Sequence, residues 1–307
     1  MQLEFIEKFV LVFLLFSVPA VSISKDFLTF ASISLEPTRE MTQLRPFADY
    51  VAKKMAALGV KEARLRIVKN HEAMARLLSE NEADIFIDSP LIGSFICYRA
   101  GCHPLLRSWK KGKSQYQTLV FARSDSSIYK LADLRGKTLA FELRFSSSGF
   151  LAPYYMLLKN GLTLVSSTEK YDDVNAVRYG FSGKDANTVF WVLKNKVDVG
   201  SIDNWTFESL SKNVKDSLRV VFSGPPLPRQ LAFVREGFGE NEPVLKQILL
   251  EMHKDPDAQQ ALIQLSNTAK FDEVSSLEIE TLDEIVTSLA EIPSVNIWDK
   301  SQEAEKK

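Results

Sequence analysis

Residues 27–34, Phe-Leu-Thr-Phe-Ala-Ser-Ile-Ser, form a short apolar run that predicts a strand buried on both faces, and residues 35–40 read as the polar loop after it. Phe47, Tyr50, Val51, Met55 and Leu58 then recur at the spacing of one helix face, and Gly59 ends the pattern. Residues 64–68 read as a second strand, 72–81 as a helix with Met74, Leu77 and Leu78 inward, and 83–87 as a third strand that ends on Asp88-Ser89-Pro90. Strands alternating with helices at this interval predict a parallel sheet. In open sheets of this kind, the loops at the carboxyl ends of the strands face a ligand crevice.

A second set of elements follows. Residues 119–122 and 138–141 are apolar strands, a helix begins near Asp185, residues 197–202 make another strand, and 218–222 another. Helices are expected at 243–254 and 257–266, with Pro243 at a first helical position and Asp255-Pro256 between them. The strand at 138–141 runs into Ser146-Ser147-Ser148-Gly149, and Phe150, Leu151, Tyr154, Tyr155, Leu157 and Leu158 continue at helical spacing. The first N–H groups of a helix have no partner inside it, and the aligned peptide dipoles put partial positive charge there, so this start is an anion cradle. Serine hydroxyls add donors, and Gly149 lets backbone and ligand approach. An ordinary N-cap and loop is the alternative reading of the same run.

Composition narrows the class. The chain has 307 residues, 45% hydrophobic and 25% charged, which fits a packed globular protein of two domains. Its 38 basic and 39 acidic residues give a formal charge of −1, without the basic excess of a nucleic-acid binder, so no nucleic-acid partner is expected. Residues 9–16 are an apolar run too short to span a bilayer, followed by Ser17, Pro19 and the small-residue pattern Ala20-Val21-Ser22. Residues 1–22 read as a secretory signal cleaved near Ser22; with Glu4 and Glu7 outnumbering Lys8, an uncleaved anchor is the alternative. In an exported protein Cys97 and Cys102, five apart, are expected to form a local disulfide rather than two free thiols. His103 is the only nearby histidine, so a metal site is not expected there. The three histidines, 71, 103 and 253, fit no hydrolase or metalloprotease pattern, there is no phosphate-binding Walker loop, and no enzyme activity or cofactor is expected.

The order of several landmarks carries more than any one of them. Residues 116–128 lead to Leu131-Ala132-Asp133-Leu134-Arg135-Gly136-Lys137, then to the serines, then to Gly183-Lys184-Asp185-Ala186 and Val197-Asp198-Val199-Gly200. This order is similar to that of the periplasmic substrate-binding proteins of phosphate/phosphite/phosphonate ABC transporters, over roughly residues 28–275. The resemblance implies an α/β, two-lobed periplasmic-binding-protein-like fold of type II: two doubly wound domains joined by a two-stranded hinge. Lobe 1 would be 23–118 plus 224–307 and lobe 2 119–223, with a small anionic ligand enclosed between them in a monomeric periplasmic protein. It implies delivery of that ligand to an ABC permease; a subunit of the same fold that presents its closed form to a membrane sensor kinase is the alternative.

Site residues follow from the same comparison. Ser146, Ser147, Ser148 and Gly149 would hold ligand oxygens, and Asp203 would accept from a protonated oxygen or an amino group, unless it only caps the next helix. Ser89 and Tyr116 complete the set. The sequence departs from the family at Lys184, where a histidine is usual. A lysine there would hold a fully ionised anion more strongly than a neutral imidazole, or else point to water. It departs again at Ser89-Pro90-Leu91-Ile92-Gly93, which lacks the family's aromatic, at His71, where a tyrosine is usual, and at Leu143-Arg144-Phe145 in place of an Asp-Pro turn.

Overall fold

The computed structural model describes residues 26–295; the leader expected at 1–22 lies outside them. The first unit runs β1 (Phe27–Ile33), α1 (Pro37–Lys54), β2 (Glu62–Val68), α2 (His71–Ser79), β3 (Ile85–Asp88), α3 (Pro90–Ala100) and β4 (Cys102–Lys110). β5 (Gln115–Tyr116) and β6 (Thr118–Arg123) leave it for a second unit. That unit contains β7 (Thr138–Phe141), α4 (Ala152–Lys159), β8 (Leu164–Ser166), β9 (Val177–Phe181), α5 (Asp185–Leu193), β10 (Val199–Asp203), α6 (Asn204–Ser209), α7 (Lys212–Asp216) and β11 (Leu218–Ser223). The chain returns through β12 (Leu227–Pro228) to β13 (Gln230–Arg235), α8 (Glu242–Glu251), α9 (Gln259–Gln264), β14 (Thr268–Asp272) and α10 (Ser276–Ala290).

Two six-stranded sheets result, ordered β14-β4-β13-β3-β1-β2 and β11-β6-β10-β7-β9-β8, and a two-stranded ribbon of β5 and β12 lies between them. The sheets are mixed, which corrects the all-parallel expectation. β2-β1-β3 and β8-β9-β7-β10 are parallel, whereas β13, β4 and β14 on one side and β6 and β11 on the other run antiparallel. The chain leaves and re-enters each sheet at one end: Gln230 at the start of β13 lies opposite Ser108 near the end of β4, and Ser223 at the end of β11 lies opposite Leu119 near the start of β6.

Local chemistry explains the elements that place the site. Asn70 caps α2 by accepting from the Ala73 N–H at 2.9 Å. β4 carries Pro104, which has no N–H for the ladder, and its register with β13 shifts there, between Ala232 and Phe233. α3 lies so close to β13 that a Cβ at Gly93 would stand 2.0 Å from the Phe233 ring, so only glycine fits. Cys97 of α3 is disulfide-bonded to Cys102 at the start of β4. At the far end of the first sheet, fully buried Asp84 accepts from the Thr29 N–H and pairs with Arg235 at 2.8 Å, so β1, β3 and β13 share one compensated buried charge.

The apolar core is continuous across the units. Phe86, Leu91 and Phe233 of the first share a buried cluster with Leu139, Phe141 and Phe150 of the second, and α10 adds Leu282, Ile285 and Leu289. α10 packs on α3 and reaches α4, where Glu284 accepts from the Tyr155 hydroxyl at 2.5 Å and pairs with Lys159 at 2.7 Å. Among the described residues no helix is long and apolar enough to cross a membrane.

Candidate functional site

The crossing strand brings the functional groups together. Tyr116 ends β5, and two residues on, Thr118 opens β6 with its hydroxyl donating to the Ser148 carbonyl at 2.6 Å and lying 3.1 Å from the Ser201 hydroxyl. Burial raises the pKa of the Tyr116 hydroxyl well above the ordinary tyrosine value, against hydrogen bonding with Ser147 and Ser148 and the charge of Arg229. The phenol is therefore neutral and serves as a fixed donor and acceptor beside the serines.

The serine run does start a helix, but by way of a π-turn over Ser147–Leu151 before α4. Ser146 acts as its cap, accepting from the Gly149 N–H at 2.9 Å. Ser147 does something the sequence did not indicate. Its hydroxyl accepts from the N–H groups of Leu91 and Ile92 at 3.1 and 3.4 Å, so it caps α3 of the other lobe, whose own N-cap residue Ser89 makes no side-chain cap. One hydroxyl thus joins the amino ends of two helical elements, one from each lobe. Gly149 is required for a different reason from ligand access. A Cβ there would meet the Glu142 Cβ and the Ser146 Oγ at 2.8 Å and the Glu142 Oε2 at 2.9 Å.

Glu142 is thereby held against the cradle. Burial raises its pKa, opposed by a hydrogen bond with Ser146 and assisted by the Asp203 charge. Asp203 caps α6, accepting from the Trp205 and Thr206 N–H groups at 2.9 and 3.1 Å and from the Thr206 hydroxyl at 2.6 Å. Lys184 stands exposed at the N-cap of α5, where its backbone carbonyl accepts from Asn187 and Thr188. Its neighbour Asp185 is the residue that faces inward. Burial pushes that carboxyl up to about 7, the Glu142 and Asp203 charges add to the effect, and Arg229 opposes it.

Lobe 1 supplies the facing wall. Asp88 ends β3 and Ser89 follows it as the N-cap of α3; the Asp88 carboxylate accepts from the Ser89 N–H at 2.6 Å, and burial pushes its pKa up to about 6. Lys110 at the end of β4 and Arg229 beside β13 are half-buried cations on this side. Sequence reasoning missed Glu142, Asp185, Lys110 and Arg229. A cation next to the returning hinge segment Pro225-Pro226-Leu227-Pro228 was the one available signal. Among the described residues no group of three His, Cys, Asp or Glu side chains is placed to hold a metal ion. The arrangement can bind an anion by helix-end N–H groups, hydroxyls and cations, and can accept hydrogen bonds from a ligand's donors through three carboxylates.

Comparison with known proteins agrees with this architecture. The family model of the phosphonate ABC transporter periplasmic substrate-binding protein matches residues 30–278. XAC2383 from Xanthomonas citri, in structures bound to chloride ion and to ATP, superposes with a TM-score of 0.77 at 27% and 28% identity, covering 87% of this chain and 98% of that one. PhnD1 from Prochlorococcus marinus, in complex with methylphosphonate, shares the fold with a TM-score of 0.60 at 20% identity, covering 87% of this chain and 99% of that one. A binding-protein component of an ABC phosphonate transporter from Pseudomonas aeruginosa gives 0.56 at 18% identity, with 91% and 92% covered. With the two sheets, the ribbon between them and the helix ends that meet at Tyr116, this match over most of the chain identifies it as a member of the periplasmic substrate-binding protein family of phosphonate ABC transporters.

Proposed function

We propose that this protein captures a small oxyanion of the phosphate, phosphite or phosphonate class between its two lobes, 23–118 with 224–307 and 119–223, and delivers it to an ABC permease outside the cytoplasm. Export by the segment at 1–22, cleaved near Ser22, belongs to the same reading. The observation that carries it is the junction at Ser147, where backbone donors of α3 in lobe 1 and the serine turn of lobe 2 converge beside Tyr116. A ligand oxygen that displaces the Ser147 hydroxyl from the α3 amino end collects donors from both lobes at once. In a closed, water-poor cleft such charge-assisted bonds count for more than they do in solvent. Ser146, Ser148, Ser89 and the Gly149 backbone are the neighbouring donors, Tyr116 is the fixed hydroxyl, and Asp203 faces a protonated oxygen or amino group. Lys184, exposed at the start of α5, stands outside this set.

XAC2383, solved with ATP, extends the ligands worth testing to phosphate esters. The test is a thermal-shift screen over phosphate, phosphite, methylphosphonate, ATP, sulfonates and carboxylates. A true ligand at a hundredfold excess over its dissociation constant raises stability by roughly 3 kcal/mol. A shift with a phosphorus oxyanion supports the reading, and no shift with any of them removes it.

A further inference from the structure

Lys110 and Arg229 are half-buried cations beside the crossing between the lobes. Arg229 follows the hinge strand β12, its backbone N–H bonded to the Ser114 carbonyl at 2.7 Å and its guanidinium carbon 4.9 Å from the centre of the Tyr116 ring. Two residues on, Leu231 lies in the sheet between Asp88 of β3 and Arg107 of β4, which puts Arg229 at the carboxyl-end edge of β3, where a ligand crevice opens. Its bond to Ser114 and its place over Tyr116, on the strand that crosses to lobe 2, put it at the junction of the lobes. Lys110 ends β4 on the same edge.

Like charges brought together in a half-buried place repel, and an amine loses hydration there. Burial lowers the Lys110 pKa and Arg229 lowers it further, against the charges of Asp88 and Glu40. Among the described residues neither cation donates a side-chain hydrogen bond or closes an ion pair. The acidic groups nearby are engaged elsewhere, Glu40 by the Ser32 hydroxyl at 2.7 Å and Asp88 by the Ser89 N–H at 2.6 Å. Glu142, Asp185 and Asp203 lie on the lobe-2 side, so an anion held at the serine turn needs compensating cations from the facing side.

We propose that Lys110 and Arg229 hold the anionic group of the ligand from the lobe-1 side and thereby select a dianion over a monoanion of the same shape. This rests on the oxyanion reading above and adds which side chains bear the charge. The planar guanidinium offers paired N–H donors to two oxygens, and the ammonium adds a point charge on a third. A phosphonate dianion uses both cations, whereas a sulfonate of similar shape leaves one charge uncompensated.

Titration calorimetry with methylphosphonate and methanesulfonate, at a pH where the phosphonate is doubly ionised, tests this. Wild type is expected to prefer methylphosphonate. Lys110→Met and Arg229→Gln should each weaken methylphosphonate binding about tenfold or more while changing methanesulfonate binding far less, so the preference shrinks. Arg229→Lys should recover part of the loss, and Lys111→Met, which removes a neighbouring exposed charge, should leave both affinities unchanged. Melting curves establish that each variant is folded; should Arg229→Gln not fold, Lys110→Met and Arg229→Lys carry the test. Wild-type affinity and preference in the folded variants overturn the assignment and leave the oxyanion reading standing. Wild type that binds none of methylphosphonate, phosphite, phosphate and ATP overturns both.

Discussion

The His71 and Phe145 rings stack between the two lobes, centroids 4.4 Å apart and planes 30° from parallel. His71 opens α2 in lobe 1, and Phe145 immediately precedes the serine turn of lobe 2, so the contact joins both sides of the cleft.

Burial lowers the His71 pKa to about 4. An opened or unfolded chain then takes up the proton first, so the contribution of this ring is complete above about pH 6.5 and is lost as the pH falls toward 4. The limit is about 3 kcal/mol for a fully buried imidazole, and the half-buried ring gives less. Chemical denaturation between pH 7 and 4.5 should show a steeper loss for wild type than for His71→Gln. Parallel pH dependences would remove His71 from the account.

Asp185 has the opposite sign. Its carboxyl is pushed up to about 7, so the folded protein keeps a proton that the unfolded chain releases, and stability falls as the pH rises from about 4 to 7. Asp185→Asn should be more stable than wild type at pH 8, by about 1–2 kcal/mol after allowing for partial exposure and for the lost acidic residue in the first turn of α5. The two proteins should converge near pH 4, as read from melting temperatures.

Gly149→Ala forces a methyl into the space filled by Glu142 and Ser146 and should cost about 1–3 kcal/mol. Glu142→Gly in the same chain removes both Glu142 contacts, Cβ and Oε2, and leaves only the movable Ser146 Oγ, so the double variant should lose less than the sum of the singles. Additive losses would mean that the turn tolerates the methyl by moving.

The strands and helices that build both sheets were legible because burial on two faces leaves continuous apolar runs such as Phe27-Leu28-Thr29-Phe30-Ala31. The missed elements have specific reasons. α3 holds Gly93 for its contact with Phe233, and β4 holds Pro104 at a register shift, so both break the pattern that identifies them. α10 was marked by the Ser275 and Glu278 capping box, a signal that was present and unused. At the site, the serine turn could be found as a local motif. The placing of Lys110 and Arg229 on one sheet edge, or of Ser147 at the amino end of α3, is set by tertiary packing that no local pattern encodes.

The Cys97–Cys102 bond ties α3 to β4 across a sequence separation of 5. So short a loop limits the entropic gain to about 2 kcal/mol. Replacing both cysteines with serine should lower the denaturation free energy by about that amount and leave the fold intact, as read from urea titrations with and without reductant. A much larger loss would show that the bond also orders the α3 terminus.

The central claim is that a phosphorus oxyanion occupies the cleft, and calorimetric titration of methylphosphonate into the wild-type protein tests it most directly. One saturable site per chain is expected, with a dissociation constant of about 1 μM or tighter, corresponding to about −8 kcal/mol. Absence of saturable binding by methylphosphonate, phosphite, phosphate and ATP, in a protein shown by its melting curve to be folded, would contradict the account.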